Sequence, residues 1–199
     1  MKDTKAPSEL TGLLMRKQKD QLVRELLLAI GDNPNREGLK DTPRRAANMY
    51  SELFRGYYQD EKPDITVFSN GKDGIVYDQM ILDSGHGFSM CEHHMMPFEF
   101  SYDFGYIPDK KVLGLSKVAR VVDYYAAKLQ VQERLVKEIV DCLESELKPT
   151  AIGLVLNGRH LCKSMRGVKK EGNMITSDLR GKFKTEPETR AEFLSFIKQ

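Results

Sequence analysis

The spacing of hydrophobic positions changes along the chain, and the changes mark out its elements. In the first third, Leu13, Leu14, Leu22, Val23, Leu26, Leu27 and Ile30 recur at roughly helical spacing, and Gly31 supplies a stop. After the polar stretch 32–41, Thr42-Pro43 reads as an N-cap followed by proline at the first helical position. Ala46, Met49, Tyr50, Leu53 and Phe54 form the expected buried stripe of this second helix, which Gly56 ends. From about residue 64 the period falls to two, and residues 65–68 and 75–82 predict strands. The clearest alternation sets Phe98, Phe100, Tyr102, Phe104 and Tyr106 against Glu99, Ser101, Asp103 and Gly105, and Pro108 ends it.

Two helices follow. Ser116 caps the first, with Val118, Val121, Val122, Tyr125 and Leu129 on its apolar side. The second spans about 131–147, with Leu135, Ile139, Val140, Leu143 and Leu147 inward, and Lys148-Pro149 breaks it. Residues 151–158 and 173–179 predict two more strands, and Thr185-Glu186-Pro187-Glu188 has the form of a capping box opening a last helix. No internal repeat is present. The order of elements predicts an α+β fold, with helices on one face of an antiparallel sheet and a helical segment before it. The expected division is an N-terminal helical segment 1–62 and a catalytic domain 63–199.

Composition narrows the function. The 199 residues are 40% hydrophobic, enough for a core, and the net charge of +2 comes from mixed acidic and basic positions. A nucleic-acid-binding chain would segregate a basic face, so none is expected. Residues 1–10 contain no apolar run of the signal-peptide kind, and no run approaches a membrane span. Three cysteines do not suggest a disulfide framework. The expectation is a cytoplasmic protein with reduced thiols, in which cysteines near histidines are ligands or nucleophiles.

The sharpest chemical feature is Cys91-Glu92-His93-His94, because a cysteine and a histidine with two residues between them can chelate one ion from a single turn. Cys162, in His160-Leu161-Cys162, offers a third soft ligand. Two cysteines and one histidine leave a tetrahedral position open, as in catalytic zinc sites, where the pKa of bound water falls to about 7. Three of the four histidines lie within three residues of a cysteine, which favours a site over unrelated core residues. Cys142, mid-helix with no histidine near, reads as core, and His86 has no assigned role. His93 and His160 are either proton-transfer groups beside the ion or one of them is a fourth ligand that closes the site. In a strand-like His-x-Cys, His160 and Cys162 would share a face.

Two further clusters are weaker. Ser116, Lys117 and Arg120 open a helix, where cations oppose the helix dipole unless an anion sits among them; Arg166 and Arg45 can extend such a phosphate site. Each taken singly reads as a solvated surface charge, and the run is not a P-loop. Glu133, in Gln130-Val131-Gln132-Glu133-Arg134, can accept two hydrogen bonds from a guanine edge, although an acid in the first turn of a helix needs no ligand to explain it.

Together these motifs resemble GTP cyclohydrolase I. Asp41-Thr42-Pro43-Arg44-Arg45, Cys91-Glu92-His93-His94 with Pro97-Phe98, the run 114–120, the run 130–135, and His160-Leu161-Cys162 with Arg166-Gly167 match in order and spacing. Asn157-Gly158-Arg159 departs in local charge but removes no motif residue. The resemblance implies the tunnelling fold, assembled as a homodecamer of two pentamers with sites at subunit interfaces. It implies zinc on Cys91, His94 and Cys162, proton handling by His93 and His160, and guanine anchoring by Glu133. Ser116, Lys117, Arg120, Arg166 and Arg45 would face the triphosphate of GTP; Gln132 belongs to the same substrate-binding set, its individual role and that of Glu92 unspecified. The implied reaction converts GTP to formate and 7,8-dihydroneopterin triphosphate. Two alternatives stand beside it: a zinc-stabilised, non-catalytic nucleotide-binding oligomer, and a related GTP cyclohydrolase with a different product.

Overall fold

A computed structural model of the chain describes residues 9–58 and 62–197, without the side chains of residues 9–16. The reading of residues 1–8 and of the Leu13 and Leu14 side chains lies outside the described residues. The chain divides into two units, one ending at residue 61 and the other beginning at Lys62. No helix among the described residues is long and apolar enough to cross a membrane.

In the first unit, α1 (Glu9–Ala29) packs on α2 (Thr42–Leu53). Gly31 closes α1 in the left-handed region at φ +89, where a side chain would be strained, and Asp32 N–H donates back to Leu27 O at 3.0 Å. Asp41 rather than Thr42 occupies the N-cap of α2, with Pro43 in its first turn. The buried residues of α2 are Pro43 and Ala47; Met49 is exposed, because the helix turns Ala47 inward instead. Of the apolar row on α1, Leu27 is buried while Leu22, Leu26 and Ile30 are exposed.

The second unit begins with β1 (Val67–Ser69), β2 (Ile81–Cys91), β3 (Pro97–Ile107) and β4 (Lys111–Leu113). Then come α3 (Lys117–Ala126), β5 (Leu129–Gln130), α4 (Gln132–Leu147), β6 (Ala151–His160) and α5 (Leu161–Ser164). The unit ends with β7 (Asn173–Gly181), α6 (Lys182–Thr185) and α7 (Pro187–Phe196). Five strands form one sheet in the order β5-β2-β3-β6-β7, antiparallel except for the short parallel pairing of β5 with β2. β1 and β4 make a separate two-stranded ribbon.

The predicted alternation in β3 decides the layering. Its five aromatic residues are buried against α3 and α4, together with Val118, Val121, Val122, Leu135, Ile139, Leu143 and Leu147. Within the described residues of this unit, the opposite face is covered at one end, where Phe183 of α6 and Phe193 of α7 stack 4.7 Å apart among Ala151, Val155 and Leu179. Helices therefore lie on both faces of the sheet, unequally, rather than on one.

Three local expectations change. Residues 75–80 are not strand; β2 starts at Ile81 and runs through His86 to Cys91. Gly85 and Gly87 hide it, since the side chains that fill their places belong to Tyr102 and Phe100: the Tyr102 hydroxyl and the Phe100 ring reach within 2.6 and 2.5 Å of where the two Cβ atoms would lie. Leu129 falls beyond α3, in β5. Thr185 ends α6 with its hydroxyl donating to Gly181 O at 3.3 Å, and Glu186 takes the N-cap of α7. At the sheet edge, Arg180 of β7 binds Asp178 and reaches Glu144 (2.6 Å) and Asp141 (2.7 Å) of α4, which fastens strand to helix.

Gly105 sets a tight tolerance in this packing. A Cβ there would lie 2.5 Å from the Phe193 ring, which is fully buried and stacked, and so has no room to retreat. Gly105→Ala is expected to destabilise the protein by about 1–3 kcal/mol and to lower the unfolding temperature by several degrees. An unchanged melting curve in calorimetry would show that this core yields.

Candidate metal centre and active site

The site forms where the ends of β2 and β6 meet across β3. A turn over residues 92–96 joins β2 to β3, held by Met95 N–H donating to Cys91 O (2.8 Å) and Cys91 N–H to Met96 O (2.9 Å), with Met95 at φ +51. In the paired strands Met90 faces Pro97, and Phe98 faces His160. β6 then passes into α5, so Cys162 lies in a helical turn and not in a strand as expected. The expectation failed because the strand signal of β6 gives no sign of where it stops.

Cys91, His94 and Cys162 come together, with their donor atoms all within 4.8 Å of one another. Two thiols and an imidazole at that separation fit a soft divalent ion and leave a coordination position for a fourth ligand. His93 and His160 fall outside the group. Cys91 is buried, and burial raises the pKa of the Cys162 thiol, as do its hydrogen bond to Cys91 and the charge there, while Arg166 opposes the shift. His93 lies beside the group, with Nδ1 3.8 Å from the Cys91 sulfur and Nε2 4.0 Å from a Glu92 carboxylate oxygen. The Arg166 guanidinium donates to His94 Nε2 at 2.5 Å and so brings a fixed positive charge to the rim.

His160 is more enclosed. Its ring stacks on Phe98, centroids 4.4 Å apart and planes 13° apart, and its Nε2 lies 2.8 Å from Gln132 Oε1. Burial lowers its pKa; the charge of Glu133 opposes this shift and that of Lys163 adds to it. Gln132 is buried and its amide nitrogen is bonded to β6 and β7, so its side chain presents no free group to a substrate. Its neighbour Glu133 stands exposed in the first turn of α4.

A support not foreseen from the sequence ties the turn over residues 92–96 to α4. Glu92 accepts from Arg134 Nη2 at 2.5 Å, and Glu92 N–H donates to Gln130 O at 3.0 Å. Arg134 Nε donates to Gln130 Oε1 at 2.9 Å, and the buried Gln130 amide donates to Tyr125 O and Glu138. The Arg134–Glu92 bond leaves no mark in any local pattern, because its two residues are far apart in the chain.

The remaining candidates are exposed or have other partners. Ser116 and Arg120 are exposed at the start of α3, and Lys117 lies 3.9 Å from Asp64. No hydrogen bond or ion pair among the described residues joins them to Cys91, His94 or Cys162. Arg45 belongs to the first unit, where it lies 3.5 Å from Asp41.

The family model described as GTP cyclohydrolase I matches residues 19–198. A GTP cyclohydrolase 1 of Dehalococcoides mccartyi is 47% identical over 182 residues, covering 90% of this chain and 95% of that one. Those of Leptospira biflexa (42%, covering 90% and 97%) and Mycobacterium ulcerans (44%, covering 98% and 96%) match at similar length.

The raised thiol pKa at Cys162 fixes the sign of a pH effect. Metal must displace protons from thiols that hold them, so affinity is expected to rise with pH, by about tenfold per unit for each proton displaced. Zinc or cobalt titrations between pH 6 and 8, with proton release followed by an indicator dye, check this. Cys162→Ala is expected to weaken binding by about two orders of magnitude or more, and undiminished binding would remove Cys162 from the ligand set.

Proposed function

The chain belongs to the GTP cyclohydrolase I family, and on that premise we propose that it converts GTP to formate and 7,8-dihydroneopterin triphosphate, the first step of folate and pterin biosynthesis, with one zinc ion on Cys91, His94 and Cys162. The observation that carries the metal assignment is the convergence of these three donors within 4.8 Å. When bound, the ion supplies the activated water that the first hydrolysis requires.

The chain's own residues have the following parts. Glu133, exposed at the opening turn of α4, accepts hydrogen bonds from the guanine N1–H and amino group and so selects guanine over adenine. Water adds at C8, the imidazole ring opens, and a second water releases carbon 8 as formate. His93, beside the Cys91 sulfur, and His160, on Phe98, carry protons in these steps and in the ribose rearrangement, after which ring closure expels one water. Arg166 meets the triphosphate near His94, and Ser116, Lys117, Arg120 and Arg45 complete the anion site, some of them from a neighbouring subunit.

The assembly we propose is a tunnelling-fold barrel of five subunits, paired into a decamer. Two sheet edges that are unpaired among the described residues support this reading: β7 beyond its pairing with β6, and β2 along residues 81–89, since β5 pairs only with Met90 and Cys91. Residues 1–62 would form a helical appendage to the catalytic domain 63–199, in a cytoplasmic enzyme.

Purified protein is expected to release formate and, after oxidation, neopterin fluorescence from GTP, with loss on chelation and recovery with zinc. Formate without neopterin would indicate a related cyclohydrolase with another product; metal and GTP bound without formate would indicate a binding oligomer. His93→Ala is expected to retain metal and lose roughly 10²–10⁴-fold in kcat, whereas loss of metal would make His93 a ligand. Glu133→Ala is expected to erase the preference for GTP over ATP in competition assays, and a preference left intact would reduce Glu133 to a helix-end acid.

A further inference from the structure

Gln132 is the most deeply buried polar side chain among the described residues, at 1% exposure. It occupies the first position of α4 and reaches across to two strands. Its amide nitrogen lies 3.1 Å from Leu156 O of β6, 2.8 Å from Met174 O of β7 and 3.0 Å from Thr176 Oγ1. Backbone carbonyls only accept hydrogen bonds, so the NH₂ end of the amide must face the strands and the oxygen must face His160. Turning the amide over would set its oxygen against both carbonyl oxygens and break both bonds, so the orientation follows from the network. An amide oxygen also only accepts. His160 Nε2, 2.8 Å from Gln132 Oε1, therefore donates and carries a hydrogen.

We infer that Gln132 is a positioning residue that holds the His160 ring in place as the Nε2–H tautomer, leaving Nδ1 without a hydrogen. Phe98 fixes the plane of the ring by stacking on it, and the Gln132 bond fixes rotation within that plane. The sequence makes room for this contact. A Cβ on Gly158 would lie 2.3 Å from Gln132 Oε1, so the amide can approach only because residue 158 has no side chain. Gln132 thus acts on chemistry through His160 and touches no substrate itself. The inference rests on the proposed function only for the part that His160 plays in proton transfer; the tautomer stands on the hydrogen bonds alone.

The test is ¹⁵N-histidine NMR of the full-length protein, with His160→Ala identifying the His160 signals. At a pH where the imidazoles are neutral, Nε2 is expected to be protonated, with its proton protected from exchange, and Nδ1 bare. In Gln132→Leu that protected proton is expected to disappear and the tautomers to mix. Metal content should be unchanged, KM should stay within about threefold, and kcat should fall about 10- to 100-fold. Gly158→Ala should give the same signature with Gln132 still present, because it only displaces the amide. A wild-type His160 protonated at Nδ1 would overturn the inference, as would an unchanged His160 signature in both variants, or a raised KM at constant kcat. The wild-type spectrum decides the tautomer even where a variant fails to fold. Absence of formate release by the wild type would count against the proposed function and leave the tautomer assignment untouched.

Discussion

The pairing of β3 with β2 on one side and β6 on the other is the constraint from which the site follows. It places the end of β2 and the end of β6 at the same end of the sheet, so that Cys91 and Cys162, far apart in the chain, supply donors within 4.8 Å. A slip of one residue in either pairing would turn alternate side chains to the opposite face. The cost of such a slip is high because the five aromatic residues of β3 are buried against α3 and α4. The same burial that stabilises the core thus holds these donors in register.

Glycines carry a second part of the specification. Gly85 and Gly87 leave the space that the Tyr102 and Phe100 rings occupy, Gly105 and Gly153 leave space for Phe193 and Leu179, and Gly158 leaves space for the Gln132 amide. In each case a large side chain on one element fills the volume missing from a neighbouring strand, and close packing results without strain. The sheet therefore carries few apolar side chains of its own at these points and borrows them from adjacent strands and helices.

The polar interior is organised on the same lines. Gln130 and Gln132 are buried on either side of Val131 and serve different parts of the site. Gln130, with Arg134 and Glu92, steadies the turn that carries His93 and His94; Gln132 steadies His160. The Gln130 side chain finds its partners nearby in the chain, at Tyr125 O, Arg134 and Glu138, whereas Gln132 reaches main-chain groups of two distant strands, so each is satisfied despite its burial. One short segment before and into α4 thereby orients residues from two strand ends. In metal sites generally, hydrogen bonds from surrounding residues orient the groups that bind the ion.

Much of this was legible in the chain itself. The alternation of β3, the apolar stripes of α3 and α4, and the Cys91-x-x-His94 turn are local patterns, and local patterns follow from period and backbone geometry. Motif order identified the family, which the match over residues 19–198 shows. What tertiary structure decided is non-local. The strand character of residues 83–91 was masked by glycines whose filling side chains come from β3. The end of β6 before Cys162, the second helical cover from α6 and α7, and the inward turn of Gln132 also left no periodic trace. Periodicity reports which face of an element is apolar; it does not report which distant group will complete a packing gap or a hydrogen bond, because that depends on strand register and on which elements the fold brings into contact.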